Sequence, residues 1–142
     1  MSVHFSSKTD LHATPQEFFD KLNAEFHFTL DVCATPENAK CKAYYSLDNG
    51  DDGLLPVWHG RVWMNPPYGR EIGRWMKKAH DTVLSGKGQV VVVCLVPART
   101  DTKWWHECVI GHEVRFVRGR LKFGDAKNSA PFPSAVVVMR PK

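Results

Sequence analysis

No apolar stretch of this chain approaches the roughly 20 residues that a helix needs to cross a bilayer. Its first residues also lack the basic and then apolar order of a secretory signal. The four cysteines show no C-x-x-C pair, which is the spacing typical of structural zinc sites. We therefore expect a cytoplasmic protein with reduced thiols, no membrane partner and no metal.

Neither an internal repeat nor a shift in composition divides the sequence. Its 142 residues fit one domain, since domains usually contain about 100–200 residues. A hydrophobic content of 43% and a charged content of 24% are ordinary for a globular chain. We predict a flexible polar arm over residues 1–12 and a single domain over residues 13–142.

The net charge of +4 does not demand a polyanionic partner, but the basic residues are unevenly placed. Four of them fall within eight positions and two more precede them; the six are Arg115, Arg118, Arg120, Lys122, Arg99 and Lys103. Such a cluster could neutralise phosphates, which would make binding strongly salt-dependent. A solvated cationic face explains each residue singly, whereas the cluster as a whole favours nucleic acid.

The spacing of apolar residues predicts the order of helices and strands. A first helix starts with Thr14 as N-cap, Pro15 at the first helical position and Glu17 closing a capping box. A second helix starts at Ile72 and ends before the glycines at 86 and 88, and a third begins at Trp104. Strands are predicted over residues 28–33, 61–64, 89–96, 114–117, 121–123 and 135–139. The run over 89–96 is apolar enough to be buried on both faces of a parallel sheet.

The most informative segment follows the second predicted strand and consists of Asn65, Pro66, Pro67 and Tyr68. An amine on a heteroaromatic ring is a poor nucleophile because its lone pair is delocalised into the ring. Acceptors at the Asn65 side chain and the Pro66 carbonyl would hold its two N–H bonds and favour a pyramidal nitrogen, in a loop that Pro67 stiffens. Tyr68 would offer a face for stacking, worth roughly 1–3 kcal/mol per base. The alternative is a proline-rich turn that closes a strand, with Tyr68 as a packing residue.

Asparagine cannot act as a general base near neutral pH, so such a loop would work by positioning and electrostatics. It resembles the catalytic motif of amino-group methyltransferases that use S-adenosylmethionine. From about residue 7 to residue 139, the chain resembles the small DNA N6-adenine methyltransferases of phages and prophages. The matching segments are ATPQEFF at 13–19, LDVCA at 30–34, NAKC at 38–41, DGL at 52–54, MNPPYGR at 64–70, LVPARTD at 95–101, GRLKF at 119–123 and APFPSA at 130–135.

The resemblance implies S-adenosylmethionine as cofactor and adenine in double-stranded DNA as substrate, inside a bacterial host cell. In such enzymes a carboxylate near the end of the first strand holds the donor, which indicates Asp31. Asp48 or Asp52 would accept from the donor ribose, although turn chemistry also explains both. The expected donor-binding residues are Thr14, Pro15, Asp31, Cys33, Ala34, Asp48 and Asp52.

The same resemblance implies a compact, trimmed Rossmann-like α/β fold with a mixed, mainly parallel sheet. About 34 positions separate Asp31 from Asn65, whereas one strand–helix–strand unit takes roughly 30 or more residues. The two further strands of a full methyltransferase cannot fit, so residues 42–55 should be mainly loop, with room for one short strand. The turn after Asp31 also lacks the glycines that let a backbone approach a nucleotide closely in related folds.

For the DNA we expect contacts from Arg99, Trp104, Arg118, Arg120 and Phe123, with Phe123 closing the side of the base opposite Tyr68. No separate recognition domain fits in this length, and a homodimer is one way for so small an enzyme to face a duplex. Two alternatives stay open. One is a methyltransferase for protein glutamine or RNA guanine, and the other is a non-catalytic relative that binds nucleic acid.

Overall fold

The computed structural model describes residues 13–124 and 128–142. The predicted arm over 1–12 and the centre of the predicted loop over 124–133 lie outside the described residues. Within the described ranges, two α-helices flank five strands: α1 (Gln16–Phe26), β1 (Leu30–Asp31), β2 (Arg61–Met64), α2 (Ile72–Ser85), β3 (Val91–Pro97), β4 (Glu113–Phe116) and β5 (Ser134–Met139). The fold is α/β, as predicted.

The strands form one mixed sheet in the order β1-β2-β3-β5-β4. The first three are parallel to one another, and β5 runs antiparallel between β3 and β4. Pro97 therefore pairs with Ser134, and Phe116 pairs with Ala135. The ends of β1, β2, β3 and β4 meet the start of β5 at one edge of the sheet, where open α/β sheets bind ligands.

The shortened connection between β1 and β2 confirms the trimmed Rossmann-like fold. In this part of the described chain, only a 3-10 turn over Leu47–Asn49 and a single bridge from Asp31 to Tyr44 interrupt the loop. The loop is nevertheless anchored, because the Asp31 amide donates to the Ala43 carbonyl and the Tyr45 amide to the Asp31 carbonyl. This places the loop beside the end of β1.

The core lies on both faces of β3 and β5, whose side chains are almost all buried. The helix α2 turns one apolar face to it, formed by the predicted residues Ile72, Trp75, Met76, Ala79 and Val83. Gly86 ends α2 in the left-handed conformation, with a φ of 67°. Phe19 of α1 packs edge-on against Trp63 of β2, with ring centroids 5.2 Å apart, and so fixes α1 to the sheet.

The prediction of a strand over 121–123 is wrong. The main-chain donors around this segment go to other partners: the Gly124 amide donates to the Ala13 carbonyl and the Ala130 amide to the Leu121 carbonyl. The segment folds back across the sheet edge and buries Phe123. The predicted third helix is a single short π-helical turn, Trp105–Val109.

Replacing Gly53 by alanine should destabilise the protein by about 1–3 kcal/mol or more, because this position has no room for a methyl group. An added Cβ would lie 2.1 Å from the Val32 carbonyl oxygen and 2.9 Å from the Trp75 ring. At Gly73 in α2 the nearest atom would be the Trp104 Cβ at 3.7 Å. Alanine there should stabilise the helix by about 0.5–1 kcal/mol. Urea unfolding of both variants measures the contrast, and equal effects would contradict this packing.

Candidate active site

The loop over residues 65–68 starts directly after β2, at the edge of the sheet where the ends of β1 to β4 meet the start of β5. Asn65 is 7% exposed, and its Nδ2 donates to the Thr14 hydroxyl over 3.0 Å. The Tyr68 hydroxyl lies 2.7 Å from Asn65 Oδ1 and 3.0 Å from the Leu95 carbonyl oxygen. A hydroxyl has one hydrogen to donate, so these two acceptors share it. The amide of Asn65 is thereby held at both ends.

Thr14 does not cap α1, so the predicted capping box is wrong. The helix begins at Gln16 after Pro15, no side chain caps its first turn, and Glu17 is exposed. The Thr14 hydroxyl accepts from the Asn65 amide instead. A buried amide needs an acceptor because an unpaired donor costs about 1–3 kcal/mol, whereas the first turn of α1 can donate to water.

The ring of Tyr68 is covered by other aromatic side chains. Tyr68 is 3% exposed, and its ring centroid lies 5.9 Å from that of Phe123 and 5.6 Å from that of Phe132, both edge-on. Burial raises the pKa of its hydroxyl well above the ordinary value. The structure thus brings Phe123 to Tyr68, and a base could stack on Tyr68 only after one of the covering rings had moved.

A cavity opens beside Asn65, between the start of α1 and the ends of β1 and β2. It is lined by Ala13, Thr14, Asp31, Cys33, Ala34, Asn38, Lys40, Trp63 and Asn65. Four of the residues expected to bind the donor therefore lie together. Pro15, Asp48 and Asp52 are not among the lining residues. Asp48 is exposed, and Asp52 accepts from the Leu54 amide in a local turn.

Asp31 is the buried carboxylate of this cavity. It is 2% exposed and accepts from the Lys40 amide at 3.0 Å and the Cys33 amide at 3.2 Å. Burial raises its pKa to about 6, against the effect of both amides. The Cys33 thiol beside it also has a raised pKa because of burial, so it is a neutral lining group.

Asn38 and Lys40 also line the cavity but were not among the predicted donor-binding residues, although the matching segment at 38–41 contains both. Both belong to the loop after β1, which the bond from the Lys40 amide to the Asp31 carboxylate helps to bring back to the cavity. The Lys40 ammonium donates to Gln16 Oε1 over 2.8 Å and lies 5.9 Å from the centroid of the Phe19 ring. The cavity thus has a buried carboxylate in its lining, whereas the Lys40 ammonium is directed to Gln16 at the start of α1.

The residues predicted to contact DNA are dispersed along the same edge of the sheet. Arg99 Nη1 donates to the Tyr68 carbonyl oxygen over 2.9 Å. Trp104 is half-buried beside Gly73 at the start of α2 and packs on Trp105. The exposed residues Arg118 and Arg120 follow β4, and Arg120 Nη1 is 3.5 Å from the Ala130 carbonyl oxygen.

Arg115 does not belong to a free cationic cluster, which corrects the prediction from its spacing. Its guanidinium binds both carboxylate oxygens of Glu25, at 2.7 and 2.8 Å, and Glu113 at 2.5 Å. Arg140 also binds Glu113. This network links α1 to β4, the last strand of the sheet. The positive charge of Arg115 is therefore already balanced by carboxylates of the protein itself.

Among the parts of the chain that the structure describes, no helix has the length and apolarity to span a membrane. Over the same ranges, histidine, cysteine, aspartate and glutamate side chains form no group of three or more that could hold a metal ion.

Comparison with known proteins gives concordant matches. The family model of DNA N-6-adenine-methyltransferases (Dam) matches residues 2–141. A DNA N-6-adenine-methyltransferase of Haemophilus phage HP1 (strain HP1c1) is 31% identical over 146 residues, covering 96% of this chain and 82% of the phage protein. A protein of the same name from Escherichia phage T1 is 33% identical over 102 residues, covering 69% of this chain and 40% of that protein.

Proposed function

Because this chain belongs to the DNA N-6-adenine-methyltransferase (Dam) family, we propose that residues 65–68 carry out its reaction. The chain is an enzyme that methylates the N6 amine of adenine in DNA. This substrate replaces protein glutamine and RNA guanine as the expected acceptor. The observation that supports the assignment to the loop is the cavity beside Asn65, whose lining also includes the buried carboxylate of Asp31.

The methyl donor is S-adenosylmethionine in this proposal, bound in the cavity. When bound, it supplies a methyl group on a positively charged sulfur. The lining residues fit such a donor because Asp31 offers a buried carboxylate to its positive charge. Thr14, Cys33 and Ala34 would shape the walls.

The loop would act on the amine through acceptors. Asn65 Oδ1 would accept one N–H of adenine and the Pro66 carbonyl the other, which frees the nitrogen lone pair for attack. An amide oxygen accepts two hydrogen bonds, so the contact from the Tyr68 hydroxyl at 2.7 Å does not exclude a second donor. The buried amide is already oriented by Thr14 and Tyr68, so little rearrangement is needed at Asn65. The proton of the amine leaves to water.

Double-stranded DNA would present the adenine in a flipped conformation, since a stacked base cannot reach a buried loop. Flipping costs a few kcal/mol. Tyr68 would stack on the base after Phe123 or Phe132 has moved away, and Phe123 would then close the opposite side. As its matched relatives are phage proteins, we expect the enzyme to act in a bacterial host cell.

Incubation of the protein with duplex DNA and labelled S-adenosylmethionine tests this proposal. After digestion to nucleosides, the label should be found in N6-methyldeoxyadenosine. A parallel reaction with a duplex lacking adenine should give no labelled nucleoside. Label on cytosine, on the protein itself or on no base at all would overturn the proposed function.

Arg118→Ala should weaken DNA binding without changing donor binding, because Arg118 is exposed at the ligand-binding edge of the sheet. If it contacts one phosphate, the slope of log K against log salt should decrease in magnitude by about 1. Lys87→Ala removes the same charge just before β3, at the opposite edge, and should leave the slope unchanged. Fluorescence titrations of a labelled duplex at several salt concentrations measure this, and equal slopes for the two variants would refute the contact.

A further inference from the structure

Arg99 lies just beyond the end of β3, the strand next to the loop over residues 65–68, and not in the loop itself. It follows the last residue of β3, Pro97, by two positions, and β3 lies directly beside β2, which leads into Asn65. Its main chain is held on both sides: the Arg99 amide donates to the Pro97 carbonyl over 2.9 Å, and the Thr102 hydroxyl donates to the Arg99 carbonyl over 2.7 Å. The long side chain therefore extends from a fixed base.

The guanidinium of Arg99 reaches the main chain of the loop. Its Nη1 donates to the Tyr68 carbonyl oxygen over 2.9 Å, and a hydrogen bond from a charged donor is roughly twice as strong as a neutral one. The carbonyl that follows in sequence, that of Gly69, instead accepts from the Ile72 amide at the start of α2. The Arg99 bond thus lies where the loop changes into the helix.

The side chain of Tyr68 links the Tyr68 main chain to the amide of Asn65 through a hydrogen bond. The Tyr68 hydroxyl lies 2.7 Å from Asn65 Oδ1, and the same hydroxyl lies 3.0 Å from the Leu95 carbonyl oxygen in β3. Leu95 in β3 therefore contacts Tyr68 at its hydroxyl, and Arg99, just after the end of β3, contacts it at its main chain. A shift of the Tyr68 main chain would therefore move the hydroxyl that contacts the Asn65 amide.

From this geometry we infer that Arg99 is a positioning residue, which holds the Asn-Pro-Pro-Tyr loop through the Tyr68 carbonyl and does not serve as a phosphate contact. The inference rests on the proposed function of the loop. A positioning role places the effect of Arg99 on turnover, because misplacement of reacting groups by about 1 Å can cost about 100-fold in rate. A phosphate contact would place its effect on DNA affinity and on the salt dependence of that affinity.

Three variants separate these roles. Arg99→Met keeps the apolar stem and removes the guanidinium, Arg99→Lys keeps a positive charge without the planar fork, and Arg118→Met makes the first change at the predicted phosphate contact. We expect Arg99→Met to lower kcat by roughly 10- to 100-fold. Its KM for DNA and its slope of log K against log salt should both stay within about twofold of the parent values. Arg99→Lys should recover less than half of the lost kcat. Arg118→Met should show the reverse pattern, with kcat unchanged and KM for DNA raised.

The inference is overturned if Arg99→Met keeps kcat, raises KM and flattens the salt slope by about 1, with Lys restoring both. If Arg99→Met does not fold, as judged by its thermal unfolding transition, Arg99→Gln decides, because it removes the charge and keeps an N–H donor: the parent kcat with a salt slope flattened by about 1 contradicts the inference. Absence of transfer to adenine by the parent enzyme would instead contradict the proposed function, so the two failures are distinguishable.

Discussion

Asn65→Ala is expected to lower kcat by roughly 100- to 1000-fold, which is the loss that follows removal of one preorganised hydrogen-bonding group from an active site. Binding of S-adenosylmethionine should change by less than about threefold. The reason for the split is that Asn65 is one of nine residues that line the cavity, whereas the carboxylate expected to bind the donor is that of Asp31. Initial rates of label transfer to duplex DNA and calorimetric titration of the donor measure the two quantities.

Asn49→Ala is the matched control, because Asn49 is an exposed asparagine in the turn Leu47–Asn49, outside the lining of the cavity. It should retain the parent rate. Asn65→Ala also removes the partner of the Thr14 hydroxyl, so folding of the variant is confirmed by its thermal transition. A folded Asn65→Ala enzyme with the parent kcat would eliminate the acceptor mechanism.

The second large effect is expected at Asp31, the carboxylate of the cavity. Asp31→Asn should weaken donor binding at pH 7.5 by roughly 10- to 150-fold, equivalent to loss of one hydrogen bond to a charged group at about 1.5–3 kcal/mol. Asp81→Asn makes the same change at an exposed position of α2 and should leave donor binding intact. An unchanged donor Kd in Asp31→Asn would show that another group binds the positive charge of the donor.

The raised pKa of Asp31 gives this prediction a pH signature. Below a pH of about 6 the carboxyl is increasingly protonated, so the affinity for a positively charged donor should rise with pH through that value and then level off. Asp31→Asn cannot ionise and should show no such rise over the same range. A parent profile that stays flat between pH 5 and pH 7 (roughly one unit on either side of the raised pKa) would contradict an ionised Asp31 as donor ligand.

The free energy of unfolding depends on pH in the opposite direction to the donor affinity: ionisation of Asp31 strengthens donor binding but lowers stability. The folded protein binds the proton more tightly than the unfolded chain, because the pKa of Asp31 is about 6 when folded and 3.8 in the ordinary reference. The contribution of this group to the free energy of unfolding is therefore complete below pH 4 or so and declines as the pH rises to about 6. The full difference is on the order of 3 kcal/mol. Urea unfolding across this range should show a flatter profile for Asp31→Asn.

Local sequence was enough to predict the elements that depend on near neighbours. The strand Arg61–Met64 has its predicted bounds, and α2 ends before Gly86 as its spacing indicates. Counting positions between Asp31 and Asn65 also predicted the missing strands, because chain length limits what can fit. Asp31, Cys33 and Ala34 line the cavity together with Asn65 because parallel strands bring their carboxyl ends to one edge.

The partners of polar side chains were decided only by the tertiary structure. Thr14 looked like a helix cap in sequence but accepts from an amide 51 positions away. Arg115 looked like part of a cationic face but binds Glu25, 90 positions away. Arg99 was predicted to contact DNA, and sequence alone gave no sign that its guanidinium also bonds the Tyr68 carbonyl, 31 positions away. Pattern and spacing determine which face of an element is apolar, since that depends on residues a few positions apart. A hydrogen bond depends on which distant groups the folded chain brings within about 3 Å, and no local pattern contains that information.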